Sequence, residues 1–242
     1  MENSQFYLGI ETSGRYGSIA IYSGQQIIAQ IELQKQGKRH AQTLVSEVKK
    51  LLDQLKITPN QITAVGVSRG PGSFTGLRIG TTFAKTFGYV TGCPILGIDT
   101  FEAIALNCPS EVSETYVISN AQRGDLFVGK YVKSSDNRWQ ITDEIRVREI
   151  TEFCRSLEVG NTINGPGIDL LESSSLIECR LLDPEFRQPD AAKVSIITAN
   201  ILQKCQSDDK DSLNEVWDLT PFYLRKSSAE EKWDAKQQLN TE

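Results

Sequence analysis

"GVSRGPGSFTGLRIG", Gly66 to Gly80, ends one element and begins another. The run that leads into it, "ITAVGVS" (Ile62–Ser68), is almost continuously apolar or small. That is the pattern of a strand buried on both faces in a parallel sheet. Gly70-Pro71-Gly72 makes a turn, because proline fixes φ and each glycine can take φ > 0. Ser73 stands where its hydroxyl can cap the helix that follows. Strand, glycine turn and helix start often cradle phosphate. Here, however, Gly76 is followed by Leu77-Arg78, so the G-x-x-x-x-G-K-[ST] string is absent, and so is G-x-G-x-x-G. On the string alone, a structural turn and a phosphate cradle both stay open.

Upstream lie three short apolar runs, "FYLGI" (Phe6–Ile10), "GSIAIY" (Gly17–Tyr22) and "QIIAQIEL" (Gln26–Leu33), the last two joined by the turn signal "SGQQ". From about His40, residues Ala41, Leu44, Val45, Val48, Leu51, Leu52 and Leu55 follow the spacing of a helical stripe, which "TPNQ" (Thr58–Gln61) ends. Downstream, a helix runs to about Tyr89, "PILGI" (Pro94–Ile98) reads as a strand, and "DTFEAIAL" starts a helix capped by Asp99 or Thr100. The second half repeats this order approximately. Strands "TYVISNA", "DLFVGKYV" and "RWQITDEIRV" precede a helix around Glu149–Leu157. Then come strand "NTING", a helix near Ile168–Leu176, strand "ECRLLD" and a helix over Asp190–Cys205. Three antiparallel strands followed by helix–strand crossovers, used twice, predict an α/β chain of the actin-like/ribonuclease-H-like plan. The join falls near Cys108–Glu114. It divides the chain into 1–108, with the helices of the opening stretch, and 109–242, whose C-terminal tail is expected to pack back on the first half.

Composition narrows the function. The 242 residues are 39% hydrophobic and 24% charged, ordinary for a globular protein with a normal core. "MENSQFYLGIETSG" has no basic region before an apolar core, so it does not read as a signal peptide. No apolar run approaches the ~20 residues of a membrane span, and a cytoplasmic location without membrane contact is expected. The five cysteines are scattered with no C-x-x-C, which reads as reduced thiols. One histidine, His40, is too few for a multi-histidine zinc site, and no metal ligands are expected. The net charge of −5 is unlike that of a direct nucleic-acid binder. "KQGKRH" (Lys35–His40) is a local basic cluster that reads first as a solvated loop.

The helix after the turn carries Gly76, Gly80, Ala84 and Gly88 four apart, on one stripe. Glycine inside a helix costs ~1 kcal/mol relative to alanine. Close approach of another backbone recovers that cost, whether the backbone belongs to this chain or to another. Ile79 and Phe83 lie off the stripe, where they can face the sheet, while Phe74, Leu77 and Thr81 flank its other side. A helix apolar or small nearly all round is buried on more than one side, which makes the stripe a candidate interface. "IETSG" (Ile10–Gly14) and "SNAQRGD" (Ser119–Asp125) sit at matching points of the halves. In actin-like kinases two such turns hold phosphate and Mg²⁺ with a carboxylate on each. Glu11 with Thr12 and Ser13, opposed by the neutral Asn120, makes at most a vestigial phosphate site.

"LGIETSG", "GVSRGPGSFTGLRIG", "ILGIDTFEAIA", "NAQRGDLFVGKY" and "LTPFYLR" (Leu219–Arg225) occur in the order and spacing of the bacterial TsaB (YeaZ-like) family, which the chain resembles over nearly its whole length. The resemblance implies an actin-like fold of two subdomains and a part in making threonylcarbamoyladenosine at position 37 of tRNAs reading codons that begin with adenine. It implies a non-catalytic subunit, a relative of the catalytic TsaD, which it pairs with. It also implies help in recruiting the ATPase TsaE. ATP, ADP and metal are then expected in those partners, none is required by this chain, and tRNA is reached only through the complex. TsaD-type metal binding uses H-x-x-x-H on a helix; four residues after His40 stands Leu44. Glu11 replaces the family's usual aspartate, and Asn120 and Gln122 stand where "DARRG" is usual. The pairing surface implied is half of a four-helix interface, also used for a homodimer when TsaD is absent. It comprises His40, Leu44, Val48 and Leu51 with Phe74, Leu77, Arg78, Gly80, Thr81, Ala84 and Gly88. The competing readings are an actin-like ATPase or sugar kinase, which needs two cleft carboxylates, and a metallopeptidase, which needs ligands one histidine cannot supply.

Overall fold

Leu8 and Ile10 point to one side of the first strand, and Tyr7 and Gly9 to the other. Both sides are buried. This pattern recurs through the computed structural model, which describes residues 5–33, 40–171, 178–208, 218–225 and 233. The first half contains β1 (Phe6–Glu11), β2 (Ser18–Ser23), β3 (Gln26–Glu32), α1 (His40–Leu55), β4 (Ile62–Gly70), α2 (Phe74–Thr91), β5 (Ile95–Asp99) and α3 (Thr100–Ala105). The second contains β6 (Glu114–Gln122), β7 (Asp125–Lys133), β8 (Trp139–Glu149), α4 (Ile150–Arg155), β9 (Thr162–Asn164), β10 (Arg180–Leu181) and α5 (Ala191–Asp208). The strands form two five-stranded sheets, ordered β3-β2-β1-β4-β5 and β10-β9-β6-β7-β8. In each, the first three strands pair antiparallel and the last two join in parallel. Read from its third strand, each sheet has the same order, and the fold is the actin-like/ribonuclease-H-like one. Among the described residues no helix is long and apolar enough to cross a membrane.

On one face of the first sheet, Leu8, Ile10, Ile19, Ile21, Val65 and Val67 pack against Leu44, Val48 and Leu51 of α1 and Ala84 of α2. Each such Leu, Ile or Val side chain contributes ~1.5–3 kcal/mol on burial. On the other face, Tyr7, Ala64, Leu96 and Ile98 meet Val194, Ile197 and Leu202 of α5. The two glycines of this face set the distance. A Cβ on Gly9 would lie 2.1 Å from the Ala191 carbonyl oxygen, and one on Gly66 would lie 1.8 Å from the Thr198 hydroxyl. So α5, which follows the second sheet in sequence, completes the first. The exchange is reciprocal. Phe101, Ile104 and Ala105 of α3 lie in the second half's core with Val117, Phe127, Tyr131 and Ile145. Asp99 caps α3 by accepting from Phe101 N at 2.9 Å and also receives the Tyr131 hydroxyl across the junction. Burial raises its carboxyl pKa.

The sequence-predicted helix near Ile168–Leu176 is a single 3₁₀ turn over Pro166–Leu170, with residues 172–177 outside the described set. Gly165 at φ 103 and Pro166 confine the chain there, and a Cβ on Gly167 would meet β6 at Ile118 C, 2.9 Å away.

Candidate functional site

Ser73 caps α2, its side chain accepting from Gly76 N at 3.2 Å, and Gly92 in the left-handed region (φ 72) closes it. Between these caps the helix has two unlike faces. The small-residue stripe points inward. A Cβ on Gly76 would lie 1.9 Å from the Thr12 carbonyl oxygen, and one on Gly80 would lie 2.4 Å from the Thr12 hydroxyl and 3.0 Å from Val67 Cγ2. Ala84 and Gly88 continue this buried line, with Leu77 and Thr81 buried beside it. This corrects the expectation that Gly80, Leu77, Thr81, Ala84 and Gly88 face another chain: the close-approaching partner is the protein's own first strand and turn. Val48 and Leu51 of α1 are likewise buried in the chain's own core, and Leu44 reaches the surface only as the floor of a groove.

The other face, expected to meet the sheet, does so only in part: Ile79, Phe83 and Phe87 are half-buried against the first core and half open. Ile79, Phe83, Phe87 and Val90 run along α2 and, with Leu44 and Val45 of α1, line an apolar groove of about 620 Å³. Val45, Tyr89 and Val90 are 67%, 70% and 75% exposed. The reason is steric. Bulky side chains cannot occupy the stripe where Thr12 comes so near, so they take the opposite side. Arg78 walls one end of the groove. The backbone of His40 opens α1, but its side chain, like residues Lys35–Arg39, lies outside the described residues.

On the other side of Arg78 is the cleft between the halves, about 740 Å³, lined by the turns Ser13–Arg15 and Ser119–Arg123, the start of α2 and the segment Phe222–Arg225. Glu11 is wholly buried. Its Oε1 accepts from Ser13 N at 2.5 Å, Ser13 Oγ at 2.6 Å and Gly14 N at 3.0 Å, and its Oε2 accepts from Ser68 Oγ. Desolvation raises its pKa, against the pull of these bonds. Thr12 Oγ1 donates to the Gly76 carbonyl at 2.8 Å, and Ser13 O accepts from Ser73 N at 2.8 Å. The groups that would hold a phosphate are therefore committed to their own turn and to α2. Asn120 stands on the facing turn, where its Oδ1 accepts from Gln122 N at 2.6 Å. Glu11, Thr12 and Ser13 come together; Asn120 lies across the cleft from them.

The sequence analysis expected the C-terminal tail against the first half but did not read Leu219–Arg225 as a strap joining both halves. Leu219 sits in the first half's core and Leu224 against the second's. Phe222 N donates to Arg69 O at 2.6 Å. Tyr223 stacks on Phe74 at 4.8 Å and accepts from Arg78 Nε at 3.0 Å, while the Arg78 guanidinium carbon lies 3.9 Å from the Phe74 ring centroid. Arg225 Nη1 donates to the carbonyls of Ala121 and Gln122, at 2.7 and 3.0 Å. The apolar and aromatic cluster in "LTPFYLR" was the available signal.

Residues 25–231 match the family described as TsaD: tRNA N6-adenosine threonylcarbamoyltransferase. A Bacillus subtilis protein named tRNA threonylcarbamoyladenosine biosynthesis protein TsaB is 26% identical over 233 residues, 93% of this chain and 96% of the relative. The Escherichia coli protein of the same name is 26% identical over 239 residues, 95% and 99% of the two chains. The solved structure "YeaZ from Pseudomonas aeruginosa" superposes with a TM-score of 0.77 at 18% identity, covering 91% of this chain and all of that one, which shows a shared fold. Family match, full-length relatives and fold agree: the chain belongs to the TsaD family of threonylcarbamoyladenosine proteins, in its TsaB/YeaZ branch.

Proposed function

We propose that this chain is a non-catalytic scaffold subunit for adding the threonylcarbamoyl group to the adenosine at position 37 of tRNAs reading codons that begin with adenine. It pairs with a TsaD-like catalytic subunit through the outward face of α1 and α2, helps recruit a TsaE-like ATPase, and reaches tRNA only through the complex, in the cytoplasm. Alone, it forms a homodimer on the same face. The names of the Bacillus subtilis and Escherichia coli relatives support the pathway. The observation that carries the scaffold role is the groove: an apolar channel edged by the exposed Val45 and Val90, the kind of surface that marks a protein interface. The internal commitment of Glu11 and the neutral Asn120 favour an accessory role over catalysis, with nucleotide and metal held by the partners.

The test mixes the purified chain with a TsaD homologue and repeats this with a Val45→Glu/Val90→Glu variant. Burying two uncompensated carboxylates should weaken association by about tenfold or more, and circular dichroism of the variant should be unchanged because both positions are exposed. Wild-type affinity in this variant would remove the groove as the docking face. A nucleotide turnover by the isolated chain that Glu11→Ala abolishes would remove the non-catalytic reading.

A further inference from the structure

Away from groove and cleft, a pocket of about 250 Å³ opens where α3, the β7–β8 turn and α5 meet. Its floor is apolar, formed by Leu106, Trp139 and Ile197. Its rim holds Glu102, and the side-chain amides of Asn137, Gln140 and Asn200. None of these four side chains makes a hydrogen bond or ion pair to another described residue. Glu102 is the third residue of α3, where a capping box would fold its carboxylate back onto the Asp99 amide; no such bond forms. The cations nearby are engaged elsewhere. Arg138 gives Nε to Asp136 at 2.5 Å and pairs with the same carboxylate through Nη2, while Lys204 of α5 approaches Asp136 at 3.6 Å. Behind Glu102 stand Asp99, itself a carboxylate, and Tyr131, bonded to it. A half-buried carboxylate is thus left with no bonded counter-charge, only the through-space pull of an Arg138 already held by Asp136, an arrangement that costs free energy until a proton or a cation supplies the charge.

We propose that this pocket binds a small organic molecule carrying a protonated amine, its ammonium seated on Glu102 and its body on Trp139 and Ile197. The amides of Asn137, Gln140 and Asn200 then read the hydroxyl or carbonyl groups of the same molecule, and Arg138 Nη1 remains for a carboxylate if the molecule is a free amino acid. Burial and the neighbouring Asp99 push the Glu102 carboxyl up to about 7. Below that pH the pocket holds a proton in place of the ammonium, so binding near neutrality releases a proton. The site is independent of the docking groove and stands whether or not the scaffold reading does.

Calorimetric titration of the full chain with ethanolamine, L-serine and L-lactate tests it. Ethanolamine and L-serine share an amine and a hydroxyl; L-lactate keeps the hydroxyl and the carboxylate but lacks the amine. At pH 8 at least one amine should bind, with lactate bound much more weakly. Binding of both amines identifies a plain ammonium site, and binding of serine alone identifies a zwitterion site that uses Arg138. Affinity should fall about tenfold or more at pH 5.5, as Glu102 takes up its proton, and by a similar factor in Glu102→Gln at pH 8. Asn200→Leu, which narrows the mouth from α5, should weaken the same amine without touching the carboxylate. No heat with either amine at pH 8, lactate binding as tightly as serine, or wild-type affinity in both variants would each overturn the assignment.

Discussion

The two sheets share one strand order and differ in what covers them. The first has α1 and α2, of 16 and 18 residues, on one face and the 18-residue α5 on the other. The second is served by the six-residue α3 and α4, and its parallel strands β9 and β10 are only three and two residues long. Topology alone therefore does not decide where a fold of this plan presents a surface. Helix length does. A helix as long as α2 can pin a stripe of small residues on the sheet and still leave a second apolar row half open. Six residues make fewer than two turns, and what α3 and α4 have that is apolar is largely spent on the core.

The largest expected effect comes from a matched pair of glycines. Gly9→Ala places a methyl 2.1 Å from the backbone oxygen of Ala191, which cannot rotate aside. Gly129→Ala in the second sheet meets only side chains, Tyr131 at 3.0 Å and Ile145 at 3.1 Å. Urea denaturation should show a loss of about 3 kcal/mol or more for the first and about 1 kcal/mol for the second. Equal losses would mean that the two sheets are covered alike. Next is Gly80→Leu, which drives a side chain at Thr12 and Val67. It should destabilise the monomer by about 2–3 kcal/mol, and a monomer of wild-type stability with impaired association would turn α2 round again.

Glu102 probes the junction where the halves exchange helices. Its carboxyl is pushed up to about 7, against 4.5 for the free group. Between these values the unfolded chain has lost the proton and the folded chain keeps it. Stability therefore falls as pH rises from about 4.5 to about 7, then levels. Glu102→Gln should flatten that fall by on the order of 2 kcal/mol, less than the full shift because the side chain faces a solvent-open pocket. Parallel pH profiles for wild type and variant would show that another group titrates. The smallest effect is that of Arg225→Ala. Removing its bonds to Ala121 and Gln122 and its pairing with Asp125 at 3.3 Å should cost about 1 kcal/mol. No measurable loss would show that the strap does not link the halves.

Most of the plan was legible because it rests on local signals. Continuous apolar runs gave β1 and β4, the stripe from Leu44 to Leu55 gave α1, and Ser73 and Asp99 announced their caps. The facing of α2 was not. Periodicity marks that Gly76, Gly80, Ala84 and Gly88 share a side and that Ile79, Phe83 and Val90 share another, but either side suits a buried neighbour. Only the nearness of Thr12 decides between them. The role of Glu11 was hidden for a similar reason, since "ETSG" reads as a polar turn. Its decisive partner, Ser68, lies 57 residues away. The crossing of α3 and α5 between cores also depends on contacts remote in sequence, and no window along the chain contains them.

That crossing has a consequence for how the chain is made. Synthesis delivers β1 through β5 early, with Gly9 and Gly66 bare on one side of the nascent sheet. The helix that fits over them, Ala191–Asp208, leaves the ribosome only after the strands of both sheets. Until then the emerging N-terminal half carries an open apolar face with two side-chain-free notches, of the sort a chaperone holds. A ribosome stalled before codon 191 displays a half-finished sheet, and release of α5 covers its bare face.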